Sequence, residues 1–152
     1  MTQERQRALE LAYRALNRKE RTVAELRAYL EGKRVEPESI DGAVEELTAA
    51  GFLDDARYAQ RFAEDKRTLE RWGSERIDRD LRRRGVPDHL VEEALARTAP
   101  EDELGDALAL LAQKVPEPPA DDRSRDRAWR MLVRKGYGPE LAYDAVRAHA
   151  AR

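Results

Sequence analysis

The sequence predicts an all-α chain of three tandem three-helix repeats forming an elongated, curved molecule. Three observations carry this prediction. The segments AELRAYLEGKRVEPESIDGAVEEL from Ala24, SERIDRDLRRRGVPDHLVEEAL from Ser74 and RDRAWRMLVRKGYGPELAYDAV from Arg125 align without gaps, with Leu30, Leu81 and Leu132 each 51 residues apart. At the same spacing fall Leu26, Ile77 and Ala128, then Ala43, Ala94 and Ala145, then Val44, Leu95 and Val146. A fixed period of this length is the mark of a helical-repeat array. Each copy also carries helix start and stop signals, and no segment shows the sustained period-2 alternation of a strand.

The elements follow in order. The first helix runs from Glu4 to Asn17, with Leu9, Ala12, Tyr13 and Leu16 facing inward. Thr22 with Glu25 three residues on is a capping-box pattern and opens the second helix. Pro37 suits the first turn of the third, as Pro87 and Pro139 do in the later copies. Asp54 is the expected N-cap of the next helix, which turns Tyr58, Ala59 and Phe62 inward. Ser74 is the expected cap of the helix that ends at Gly85. Gly85 and Gly136 suit the left-handed residue that closes a helix, where the first copy has Arg34. A seventh helix spans Asp102 to Lys114. Leu90, Ala94 and Leu95, like Leu141, Ala145 and Val146, mark the last helix of their copies. The repeats are placed at 1–50, 51–99 and 100–152, with a proline-rich linker at 115–122.

Composition narrows the function. In 152 residues, 29 Lys+Arg face 31 Asp+Glu, a formal charge of −2, and charged residues make up 39% against 6% aromatics. Such a chain favours thin layers with much exposed surface. A membrane-spanning helix needs about 20 predominantly apolar residues, and the longest apolar run is Ala107–Ala112. The polar start, MTQERQRALE, lacks a signal-peptide core. The absence of cysteine removes disulfides and thiolate chemistry. A cytoplasmic monomer without cofactor or metal is expected.

Catalytic signals are weak. His89 and His149 stand at no metal-binding spacing and are read as solvated surface. Asp54 with Asp55, Glu92 with Glu93 and Glu101 with Asp102 lie at or near helix starts, where carboxylates favour the positive end of the helix dipole. No phosphate-cradling glycine motif occurs. No enzyme activity is expected.

Charge is segregated instead. Residues 66–85 hold eight basic against four acidic side chains, and residues 85–106 one against seven. Arg76, Arg79 and Arg83 lie three and seven residues apart on one helix face. Adding 51 gives Arg127, Arg130 and Arg134, and Arg84 maps onto Lys135. The first copy has Glu25, Ala28, Gly32 and Lys33 at these positions. The two rows read either as solvated faces paired with Asp78, Asp80 or Asp126, or as a surface for phosphate or carboxylate, which guanidinium forks match bidentately. Arginine at all six positions supports the second reading. Trp72 and Trp129 flank the rows, and packing is the favoured role for both.

GFLDDARYAQRFAEDK from Gly51, RWGSERIDRDLRRRGV from Arg71 and WRMLVRKGYGPELAYDAV from Trp129 resemble segments of the RecX regulatory proteins. The likeness covers nearly the whole chain, and the GFLDD segment is its sharpest part; EGKRVEP in the first copy departs from the family's usual turn. The resemblance implies a non-enzymatic modulator that binds the RecA–single-stranded-DNA filament. It implies inhibition of RecA ATP hydrolysis, strand exchange and co-protease activity. Arg76, Arg79, Arg83, Arg84, Arg127, Arg130, Arg134 and Lys135 would then face the filament or DNA. Single-stranded DNA is the implied nucleic acid, with double-stranded DNA a second candidate. The alternative is a stand-alone DNA-binding or helix-turn-helix-like regulator, although the rows lack the Asn, Gln, Ser and Thr mix that reads base edges.

Overall fold

The computed structural model describes residues 2–152. Among these the chain forms nine helices and no strand: α1 (Gln3–Arg18), α2 (Val23–Gly32), α3 (Pro37–Ala49), α4 (Asp55–Leu69), α5 (Ser74–Arg83), α6 (Asp88–Leu95), α7 (Pro100–Lys114), α8 (Asp122–Lys135) and α9 (Pro139–Ala150). They group into two compact units, Met1–Ala59 with Leu81–Val91 and Gln60–Asp80 with Glu92–Arg152, so α4, α5 and α6 contribute to both.

In the first unit α1, α2 and α3 pack on one another. The Thr2 hydroxyl accepts the Arg5 N–H at the start of α1, and Thr22 with Glu25 forms the expected capping box of α2. Pro37 opens α3. Ala8, Ala12 and Ala15 are fully buried, and these small side chains carry the inner face of α1 against a core of Leu26, Leu30, Ile40, Ala43 and Leu47. This stripe leaves Tyr13 at its flank. Tyr13 therefore does not face inward; it is 37% exposed and meets Phe52 edge-on, ring centres 5.4 Å apart.

The turn after the second helix of each copy closes in the same way. The N–H groups of Val35, Val86 and Tyr137 donate to the carbonyls of Leu30, Leu81 and Leu132, each at 3.1 Å. Such a closure puts one residue in the left-handed region. Gly85 and Gly136 take it, at φ 85° and 104°, and so does Arg34, at φ 62°. In the first unit Gly85 lies against α2: the Thr22 hydroxyl donates to the Arg84 carbonyl at 2.7 Å, and a Cβ on Gly85 would sit 2.3 Å from that of Ala24. In the second unit the Gly73 N–H donates to the Lys135 carbonyl at 2.8 Å and the Glu75 N–H to that of Gly136 at 2.9 Å. A Cβ on Gly136 would fall 2.3 Å from that of Arg76. Ser74 is not the cap of α5. The first intrahelical bond runs from Ile77 to the Gly73 carbonyl, so Gly73 holds the cap position, and its lack of a side chain admits the backbone of Gly136.

The Ser74 N–H instead donates to Glu103 at 2.7 Å, as the Val23 N–H of the first unit does to Asp55 at 2.9 Å. Asp54 caps α4 as expected, accepting the Arg57 N–H. In the second unit α9 packs against both α7 and α8, around Leu110, Leu111, Leu132, Tyr137 and Ala145. The Tyr137 hydroxyl donates to the Arg71 carbonyl at 3.0 Å, and burial pushes its pKa upward. Two expectations are corrected here. The seventh helix starts two residues early, at Pro100. His149 is not solvated but 3% exposed, one ring nitrogen 2.6 Å from the Val115 carbonyl, because it continues the inner stripe of Ala142, Ala145 and Val146.

Gly85→Ala therefore meets both a steric clash and a strained backbone, and its thermal unfolding should show a loss of about 2 kcal/mol or more. Arg34→Gly relieves a non-glycine left-handed residue with open surroundings and should gain about 0.5–1 kcal/mol in the same assay. Burial, the largest influence, raises the Asp55 carboxyl pKa against the lowering by the Val23 hydrogen bond. The folded chain thus holds that proton more tightly than the unfolded chain. Its stabilising effect is present at acid pH and lost as pH rises through the raised folded pKa. Asp55→Asn keeps an acceptor for Val23, so denaturant melts should find it at least as stable as the wild type at neutral pH, the difference shrinking on acidification. Asp55→Ala should lose about 1 kcal/mol.

Candidate functional site

The second unit holds Arg76, Arg79, Arg127, Arg130, Arg134 and Lys135; Arg83 and Arg84 belong to the first. In the second unit the seat of Gly136 on Arg76 brings the start of the α5 row beside the end of the α8 row. Arg79, Arg127 and Arg134 are exposed and have no ion pair or side-chain hydrogen bond among the described residues. Arg130 is 65% exposed and pairs with Asp126 at 2.9 Å, one of the pairings anticipated for a solvated face. Arg83 is exposed as well, while Asp80 is buried.

Two of the basic positions build the fold. Arg84 is half-buried, donates to the Tyr58 hydroxyl at 3.1 Å and stands 3.6 Å from Glu25. Burial is the main reason that the Tyr58 pKa is raised, with Glu25 adding to it and Arg84 opposing it. Lys135, the counterpart of Arg84, turns its ammonium to the Glu70 carbonyl at 3.2 Å.

Arg76 behaves differently from its row. Its guanidinium lies 3.9 Å from the centre of the Trp72 ring, and the Lys66 ammonium lies 4.7 Å from the same centre. Phe62 meets Trp72 edge-on at 6.1 Å. Trp72 thus packs, as favoured, but against cations. The sequence reading did not single out Lys66, although its place four residues after Phe62 on α4 put a cation over an aromatic ring. Trp129 is half-buried and its indole N–H donates to the Pro139 carbonyl at 3.0 Å. Nearby, Arg67 and Arg71 face Asp106, whose pKa is raised mainly by burial, against the pull of both arginines.

No group of three or more metal-ligating side chains occurs among the described residues. His89 is exposed and His149 is bound within the core. No helix of the described residues is long and apolar enough to cross a membrane. What this surface offers chemically is a set of guanidinium and ammonium donors to an anion, on a scaffold of helical repeats.

Fold and surface define an all-α helical-repeat protein with exposed cations. A family model described as the first three-helix domain of RecX matches residues 8–47, and one described as the second matches residues 54–95. The chain is 36% identical over 148 residues to the regulatory protein RecX of Deinococcus radiodurans, covering 96% of this chain and 71% of that one. It is 37% identical over 134 residues to RecX of Trichlorobacter lovleyi, covering 86% and 87%. The crystal structure of RecX from Lactobacillus salivarius superposes along the full length of both chains with a TM-score of 0.88 at 16% identity, a likeness of fold. The chain belongs to the RecX family.

The division between building and exposed cations is measurable. Arg84→Ala should lower unfolding stability by about 1–2 kcal/mol, because it removes the hydrogen bond to the buried Tyr58 and the pairing with Glu25. Arg79→Ala, Arg127→Ala and Arg134→Ala should each stay within about 0.5 kcal/mol of the wild type.

Proposed function

We propose that this chain is a non-enzymatic, cytoplasmic regulator of RecA that binds the RecA–single-stranded-DNA filament. In doing so it inhibits RecA ATP hydrolysis, strand exchange and co-protease activity, and so acts in recombinational repair and the SOS response. Family membership supports the regulatory role. The observation that carries the surface is the set of cations in the second unit, Arg76, Arg79, Arg127 and Arg134, that make no ion pair or side-chain hydrogen bond among the described residues. A solvated face pairs its arginines with neighbouring acids, as Arg130 does with Asp126. Unpaired guanidiniums keep their full demand for an external anion. Arg130 extends the surface, and Lys135 holds its backbone in place. Arg83 and Arg84 belong to the first unit, where Arg84 holds the equivalent turn. The three repeats are read as 1–50, 51–99 and 100–152, tandem copies of one three-helix unit.

The deciding measurement is single-stranded-DNA-dependent ATP hydrolysis by the cognate RecA, with this chain present well below the RecA concentration. Inhibition at that ratio is expected. Inhibition only at DNA-saturating amounts would favour the stand-alone DNA-binding reading. The combined change Arg79→Glu, Arg127→Glu and Arg134→Glu should keep helicity and abolish inhibition; inhibition that survives it would place the working surface elsewhere.

A further inference from the structure

The cluster around Trp72 lies wholly within the second unit and differs from the rest of the basic surface. Lys66 and Arg76 are both held against one indole ring, at 4.7 and 3.9 Å from its centre. The two positive charges are therefore less than 10 Å apart whichever faces they occupy. Like charges this close repel, and neither makes an ion pair or a side-chain hydrogen bond among the described residues. The indole positions them without neutralising them. The ring face accepts none of their N–H hydrogen bonds, so both keep donors for an anion, whose charge would offset the repulsion.

Beside the cations is apolar surface that core packing does not use. Leu69, the last residue of α4, is 76% exposed, and Phe62 is only half-buried. With Lys66 they line a shallow hollow of about 250 Å³, whose rim also carries Asp65 and Glu70. Those carboxylates disfavour a second phosphate in the hollow and suit a group that donates N–H bonds from a flat ring. A phosphate on the cations and a nucleobase on the apolar shelf satisfy both halves of the cluster. In duplex DNA the base faces are covered by one another, so only a single strand can supply both.

We propose that Lys66 and Arg76, held on Trp72, together with Phe62 and Leu69, form a contact for one nucleotide of single-stranded DNA. Phosphate meets the two cations, and base meets Leu69 and Phe62. This rests on the reading of the basic surface as DNA-facing and assigns a strand preference to one part of it.

The chain has two tryptophans, so Trp129→Phe leaves Trp72 as the sole indole emitter. Titrating that variant with short oligo-dT at low salt should change Trp72 emission saturably, while fluorescence anisotropy of labelled oligo-dT reports total binding. Leu69→Ser, at an exposed site, should weaken oligo-dT binding about fivefold, the loss of one partly buried apolar side chain against the base, and leave duplex binding unchanged. Lys66→Gln should lower the salt dependence of binding by about 0.7 of a log unit per log unit of salt, one phosphate contact. Circular dichroism of each variant checks that helicity is kept. Oligo-dT binding with no change in Trp72 emission would overturn this contact and leave the arginine surface standing. An equal emission change with a DNA hairpin or with polyglutamate would overturn the single-strand assignment. Absence of any oligo-dT binding by anisotropy would remove the DNA-facing reading together with the contact.

Discussion

Each compact unit depends on one junction: the carbonyl end of a helix seated on the amide end of the equivalent helix 51 residues earlier. In the first unit the last carbonyls of α5 meet Thr22 at the start of α2, and in the second those of α8 meet Gly73 at the start of α5. Helix ends leave unsatisfied carbonyls at one terminus and unsatisfied donors at the other, with partial charges of opposite sign. In the second unit the contact meets both needs at once, the Gly73 and Glu75 N–H groups donating to the Lys135 and Gly136 carbonyls. In the first the Thr22 hydroxyl supplies the donor, and side-chain carboxylates take the α2 amides. The approach is close enough that no Cβ fits at Gly85, Gly136 or Gly73. A left-handed turn therefore does more than end a helix here: it seats that helix end on its neighbour and sets the direction in which the next helix leaves.

The two junctions share a backbone and differ in side-chain chemistry. In the first, Glu25 closes the capping box and faces Arg84, which also binds Tyr58, so the charges are matched. The second has Arg76 and Lys135 at the same two positions. Two cations cannot pair, and each finds another partner: Arg76 the Trp72 ring, Lys135 the Glu70 carbonyl. A partly exposed ion pair contributes only about 0–1 kcal/mol, and a surface cation–π contact is worth about 0.5–1 kcal/mol. The exchange is nearly neutral for folding, yet it turns a self-satisfied joint into a positively charged one. Glu25 thus takes the first position of the row in the first copy, where it serves the matched joint.

The repeat was legible because core positions obey a period: leucines that close a turn must recur at the same offset. The same periodicity placed Arg84 and Lys135 in the basic set, yet a shared register does not reveal whether a cation faces solvent or the preceding helix. That depends on residues far away in sequence, Tyr58 and Glu70. Tyr13 was misjudged because an alanine stripe, not the largest apolar residues, sets the inner face of α1. His149 was misjudged in the opposite sense. Its spacing from Ala142 and Val146 already placed it on the inner stripe, but its polarity argued against burial, and only the Val115 carbonyl, supplied by the linker, makes a buried imidazole tolerable.

A chain with net charge −2 can present a cationic surface only if its acids are held elsewhere, and the helix starts hold them. Asp54 and Asp121 accept backbone N–H groups as caps, Asp55 and Glu103 accept N–H groups at the starts of other helices, and Glu101 and Asp102 lie in the first turn of α7. Hydrogen bonding to Ser124 draws the Asp121 carboxyl pKa below its usual value, so that this acid stays ionised at its cap. Carboxylates fixed at N-termini sit at the positive ends of helix dipoles, whereas Arg82, Arg83, Arg134 and Lys135 occupy the last turns of α5 and α8, at the negative ends. Both placements are favourable for the helices alone. The segregation of charge that leaves arginines unpaired thus follows from helix capping, before any partner is considered.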